Sequence, residues 1–193
     1  MTNYTLSKQS NYIFIDWHGV LSDKGFWSES VNTNQKLKAF MKWYFSDISR
    51  YEEWMRNNIT VSQIDKHSNL YDISSAEIIQ AFKDDIKVYA PNLKFLQALN
   101  LLFPNSKKYI ITDNIDLFDY IYNYYQSDLE VYFKGYFSSH QFDVLKTDNN
   151  PSLFDLVLPK LKLDSFDNCL LVDDNLANCI KFKKLKGNYI CLN

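Results

Sequence analysis

The sequence predicts an α/β protein, a doubly wound parallel sheet interrupted by an inserted block of helices. Three observations lead there. Short apolar runs rich in β-formers at 12–15, 109–111 and 169–172 read as strands covered on both faces. Each run stops at a polar side chain: Asp16, Thr112, and the pair Asp173 and Asp174. Between the runs the apolar spacing changes to steps of three and four, so strands alternate with helices.

Taken in order, the first strand ends at Asp16, and Gly19 behind it can adopt the positive φ of a sharp exit turn. Over 31–47, Leu37, Phe40, Met41 and Tyr44 share one helical face, and Ile48, Tyr51, Trp54 and Met55 repeat the stripe. Ser74 with Glu77 forms a capping-box signature ahead of Ile78, Ile79, Phe82 and Ile86. Residues 24–90 therefore read as an all-helical insertion, and 1–23 with 91–193 as the α/β core. Placed just after the first strand, such an insertion suits a lid that excludes water and touches substrate.

Pro91 marks the return to the core. A core helix over 93–102 leads to the second strand, and Leu117, Ile121 and Tyr124 stripe the helix after Thr112. Residues 135–138 read as a short strand, with Lys146 in the loop that follows. Asn150 and Pro151 read as N-cap and first turn of a helix bearing Phe154, Val157, Leu158 and Leu161. A helix over 175–186, stopped by Gly187, precedes a last strand over 189–192; Lys181, Lys183, Lys184 and Lys186 complement the dipole at its end.

The composition bounds the function classes. At 193 residues, 46% hydrophobic and 17% aromatic, the chain can bury about 70% of its unfolded surface in one compact core. A net charge of −2 from 21 basic and 23 acidic residues leaves no footprint for nucleic acid or an anionic membrane. Cys169, Cys179 and Cys191 are odd in number and lack ligand spacing, so they read as reduced packing residues. The polar first ten residues lack the apolar core of a signal peptide, and no apolar run approaches the ~20 residues of a membrane span, so a cytoplasmic soluble protein is expected. Monomer or dimer is left open.

A sheet lines up the carboxyl ends of its parallel strands, so Asp16, Thr112 and the Asp173–Asp174 pair converge on one expected site. Read alone, Asp16 is either a nucleophile or metal ligand or the cap of a turn. Asp16-Trp-His-Gly-Val-Leu21, then Thr112, Lys146 and Asp173-Asp174, in that order and on those elements, resembles the four motifs of the haloacid dehalogenase (HAD) superfamily. The insertion resembles that superfamily's helical cap. The resemblance implies a Mg²⁺-dependent phosphatase acting on a small phosphorylated metabolite. Asp16 would be the nucleophile that becomes an aspartyl phosphate. The resemblance gives Thr112 and the Asp113 amide to the phosphoryl oxygens, and Lys146 to charge balance. Asp16, the His18 carbonyl, Asp173 and Asp174 would hold Mg²⁺.

The sequence departs from the family pattern at four points. His18 stands where most phosphatases of the superfamily carry a second Asp, the general acid and base; a histidine can do both jobs near neutral pH. Asp113 replaces an Asn or Gly, Thr147 a Pro, and about two extra residues precede Pro151. Two alternatives follow: a phosphonate hydrolase, which would need a cap lysine, and a catalytically weak phosphate-binding protein. His67 and His140 show no constellation and are expected at the surface. Trp17 is expected either to face substrate or to pack. Trp27, Trp43 and Trp54 are expected to be core residues of the insertion.

Overall fold

The computed structural model describes residues 10–192. The polar amino-terminal stretch that bears on targeting lies almost wholly outside them. No helix among the described residues is long and apolar enough to cross a membrane.

Five parallel strands form one sheet in the order β3-β2-β1-β4-β5: β1 Tyr12–Ile15, β2 Lys107–Thr112, β3 Tyr136–Ser138, β4 Cys169–Asp173 and β5 Asn188–Cys191. The central strand β1 pairs Ile15 with Ile110 on one side and with Val172 on the other. Its side chains alternate between two cores. Ile13 and Ile15 join one face with Leu96, Leu99, Phe118 and Ile121. Phe14 joins the other with Phe154, Val157, Phe166 and Phe182. The first face is covered by α6 Leu93–Leu102 and α7 Phe118–Tyr124, the second by α9 Leu153–Lys160 and α10 Leu176–Lys184. The short helix α8 Gln126–Leu129 follows α7. Helices on both faces make the sheet doubly wound, as the patterning predicts.

Between β1 and β2 the described chain is helical: α1 Ser30–Thr33, α2 Gln35–Phe45, α3 Ile48–Met55, α4 Asp65–Ser68 and α5 Ser75–Asp84. Leu37, Phe40, Met41 and Tyr44 are the buried face of α2, the stripe read from the sequence. The helix is shorter than 31–47 because the Asn34 side chain accepts from Leu37 N and starts a new helix there. Ser74 and Glu77 form the expected capping box of α5. The two ends of this block meet, Asn92 N donating to Leu21 O at 2.7 Å.

Four expectations need correction. The helix after Pro151 begins two residues late, because Ser152 and Asp155 form a reciprocal capping box that Asn150 and Pro151 cannot supply. Ile48 is 65% exposed, since α3 turns only its Trp54 side inward. His140 is buried, between Ser138 Oγ at 2.7 Å and Asp119 Oδ1 at 3.0 Å. His67 is half-buried against the ring of Trp43.

Candidate active site

The strand order reverses between β1 and β4, and the crevice at the carboxyl ends of those strands is where open α/β sheets bind ligands. Asp16 is the first residue past β1, its N–H donating to Val172 O at 2.9 Å. Asp173 is the last residue of β4. The ladder thus sets the two carboxylates side by side. Oxygens of Asp16, Asp173 and Asp174 all lie within 4.8 Å of one another.

Lys146 reaches this cluster from the loop between β3 and α9. Its fully buried Nζ lies 2.8 Å from Asp16 Oδ2 and 2.7 Å from Asp173 Oδ2. Burial alone would favour the neutral amine, but Asp16, Asp173 and Asp113 outweigh it and hold the ammonium well above its ordinary pKa. Other donors come from nearby: Asp16 Oδ1 accepts from Trp17 N at 2.7 Å, and Asp173 Oδ1 from Asn175 N at 2.8 Å. Asn178 Nδ2 donates to both oxygens of Asp173, at 3.0 and 3.1 Å. One ammonium cannot neutralise three carboxylates. The surplus charge and an all-oxygen donor set fit a hard divalent cation such as Mg²⁺.

Thr112 ends β2 and is buried, with Asn114 Nδ2 donating to its Oγ1 at 3.3 Å. Because the amide fills the acceptor side of that oxygen, the Thr112 hydroxyl hydrogen remains available to donate. Asp113, half-buried, accepts from Lys146 N at 2.9 Å. Burial pushes its carboxyl up to about 7; Lys146 opposes the rise, and Asp16 and Asp173 add to it.

His18 follows Asp16 by two residues, its ring 4.6 Å from that of Phe26. Burial pulls its imidazole down to about 4, against the opposing bond to the Lys24 backbone, and Lys146 lowers it further. At neutral pH it is the uncharged ring, a proton acceptor. Gly19 has φ of 75°, and a β-carbon there would stand 2.1 Å from Asp174 Oδ2. Only glycine suits both the turn and that approach.

A cleft of about 390 Å³ opens beside His18, lined by Ser22, Asp23, Lys24, Phe26, Phe45 and Tyr51 among others. Phe45 and Tyr51 come from α2 and α3, so the helical block forms part of the wall. Sequence reasoning missed these lining residues. Phe45 and Tyr51 belong to a helix end and an amphipathic stripe, respectively, like many others, and only their seating on the core turns them toward the site. Trp17 is wholly buried, edge-on to Phe118 at 5.2 Å, so it packs. Trp27 and Trp54 are buried as expected; Trp43 is half-buried beneath Arg50.

No protein-family model and no curated protein sequence matches this chain. Solved structures match it in fold. A HAD family enzyme from Bacteroides thetaiotaomicron, in complex with magnesium and inorganic phosphate, aligns with a TM-score of 0.65 at 16% identity, over 94% of this chain and 93% of that one. A predicted HAD-like family hydrolase from Porphyromonas gingivalis aligns with a TM-score of 0.68 at 13% identity, over 95% and 91%. L-2-haloacid dehalogenase from Xanthobacter autotrophicus, with chloropropionic acid covalently bound, gives 0.63 at 14% identity, over 93% and 76%. At these identities the likeness is one of fold.

Proposed function

We propose that this chain is a Mg²⁺-dependent phosphatase that hydrolyses a small phosphorylated metabolite through an aspartyl phosphate on Asp16. One observation carries the reading: three carboxylates with oxygens within 4.8 Å of one another, braced by a buried lysine at the carboxyl ends of adjacent strands. A fold neighbour crystallised with magnesium and inorganic phosphate supports it.

In this reading a carboxylate oxygen of Asp16 attacks phosphorus, the bond from phosphorus to the ester oxygen breaks, and that oxygen leaves with the electron pair. Asp16, Asp173, Asp174 and the His18 carbonyl would hold Mg²⁺, which when bound draws charge from the phosphoryl oxygens. The Thr112 hydroxyl and the Asp113 amide donate to those oxygens. Lys146 holds Asp16 in place and offsets charge that builds on the transferring group. In the second half-reaction neutral His18 accepts a proton from the water that attacks the aspartyl phosphate, and Asp16 is regenerated. Protonating the leaving group calls instead for the imidazolium, which a pKa near 4 makes scarce, so substrates with good leaving groups should turn over faster. The block over 24–90 serves as the cap, with Phe45 and Tyr51 facing substrate.

The test is release of phosphate from an aryl phosphate with Mg²⁺, and its loss in Asp16→Asn. Undiminished turnover in that variant refutes the mechanism. A second reading, cleavage of a carbon–phosphorus bond, is favoured by the position of Lys24 in the cleft beside His18. That reaction would use Lys24 as a Schiff base, and borohydride trapping of an aldehyde phosphonate on Lys24 separates the two.

A further inference from the structure

The helical block grips the loop that presents Lys146. Arg56 caps the carboxyl end of α3, its backbone N–H donating to Glu52 O at 2.8 Å. Its side chain crosses to the core and takes Asp148 in a two-pronged pair, Nη2 lying 2.8 Å from Oδ1 while Nη1 contacts Oδ2. Glu52 Oε2, at 3.3 Å from Nη2, steadies the guanidinium. Asp148 also closes the turn that contains Lys146: Leu145 N donates to Asp148 Oδ2 at 2.9 Å, and Asp148 N to Leu145 O at 3.3 Å. A second anchor docks the same end of α3, because the Asp116 carboxylate accepts from Trp54 Nε1 at 2.7 Å and from Val61 N at 2.9 Å.

We infer that Arg56 is a positioning residue: by holding Asp148 it locks the turn over 145–148 and so places the Lys146 ammonium between Asp16 and Asp173. The seating of the helical block thereby sets the electrostatics of the site. The kinetic consequence rests on the phosphatase reading; the structural one does not. The Arg56 and Asp148 side chains are 25% and 23% exposed, so most of the pair is packed between the helical block and the loop, and part of its effect is on stability. A small displacement of a buried catalytic ammonium is also expensive in rate.

The test compares full-length Arg56→Ala, Arg56→Lys, Asp148→Asn and the double Arg56→Ala/Asp148→Asn. Amide hydrogen exchange over residues 143–150 needs no activity, and Arg56→Ala should speed it by about tenfold while exchange in β1 and β4 is unchanged. With Mg²⁺ and an aryl phosphate, kcat should fall about tenfold with KM within about threefold, and Arg56→Lys should recover part of the loss. The double variant should be no slower than Asp148→Asn alone, since both changes cut one connection. Wild-type exchange over 143–150 in a folded Arg56→Ala overturns the inference, as do additive rate losses. If Arg56→Ala does not fold, Arg56→Lys, which keeps the charge and loses the fork, carries both readouts. A wild-type protein inactive on every phosphate ester defeats the phosphatase reading and leaves the exchange result to decide this one.

Discussion

Gly19 and Asp174 are in direct apposition: a β-carbon at position 19 would overlap the carboxylate, 2.1 Å from Oδ2 and 2.4 Å from Cγ. The turn after the first strand and the acidic end of the fourth are therefore fitted to each other, although more than 150 residues separate them in the chain. Gly19→Ala must push Asp174 aside as well as strain a backbone at φ of 75°. Mg²⁺ affinity, read by calorimetry, should fall by about tenfold or more, in line with the roughly 10- to 100-fold cost of disturbing groups that orient metal ligands. Wild-type affinity would show that Asp174 does not contribute to the cation site.

Lys146→Met removes the ammonium that lies between Asp16 and Asp173. Deleting one partner of a buried ion pair costs about 3–5 kcal/mol, and deleting a preorganised charge costs about 10²-fold or more in rate. In the variant, Mg²⁺ would supply the missing positive charge. Added Mg²⁺ should therefore raise the melting temperature of Lys146→Met more than that of the wild type; an equal rise counts against a cation among these carboxylates.

In metal-free protein, His18 and Asp113 should act on stability in opposite directions as pH falls. The His18 pKa is lowered to about 4 in the fold, so below about 6.5 the unfolded chain binds the proton first and stability drops until pH 4. The Asp113 pKa is raised to about 7, so the folded chain takes up the proton first and stability grows from pH 7 down to about 4. Each shift corresponds to about 3–4 kcal/mol, and burial also raises Asp173 and Asp174 in the same direction as Asp113. On acidification His18→Asn should therefore gain stability relative to Asp113→Asn. Urea titrations between pH 7 and 4.5 check this, and parallel curves for the two variants would contradict it.

The Asp116 carboxylate accepts from Trp54 Nε1 and Val61 N, joining the helical block to the core. Asp116→Ala leaves both donors without that acceptor, at a cost of about 1–3 kcal/mol each where water does not replace it. Denaturant unfolding followed by tryptophan fluorescence should show a loss of about 2–4 kcal/mol. A loss below 0.5 kcal/mol would show that water satisfies both groups.

The features legible in the linear chain were periodic or terminal. A continuous apolar run marked the strand over 12–15 as covered on both faces, helical spacing marked the buried face of α2, and carboxylates at strand ends marked the crevice. Such features are local, because strand and helix periods and capping chemistry are written within a few residues. Lys146 was named from its order among motifs, but nothing nearby showed that it would be fully buried between two carboxylates. The rest was decided by tertiary structure. His140 read as a surface residue until Asp119, 21 positions away, was brought against it. The cleft-facing roles of Phe45 and Tyr51, and the reach of Arg56 to Asp148, 92 positions on, exist only once the helical block is seated on the sheet. Those relationships depend on how two packed layers meet, which periodicity within either layer does not encode.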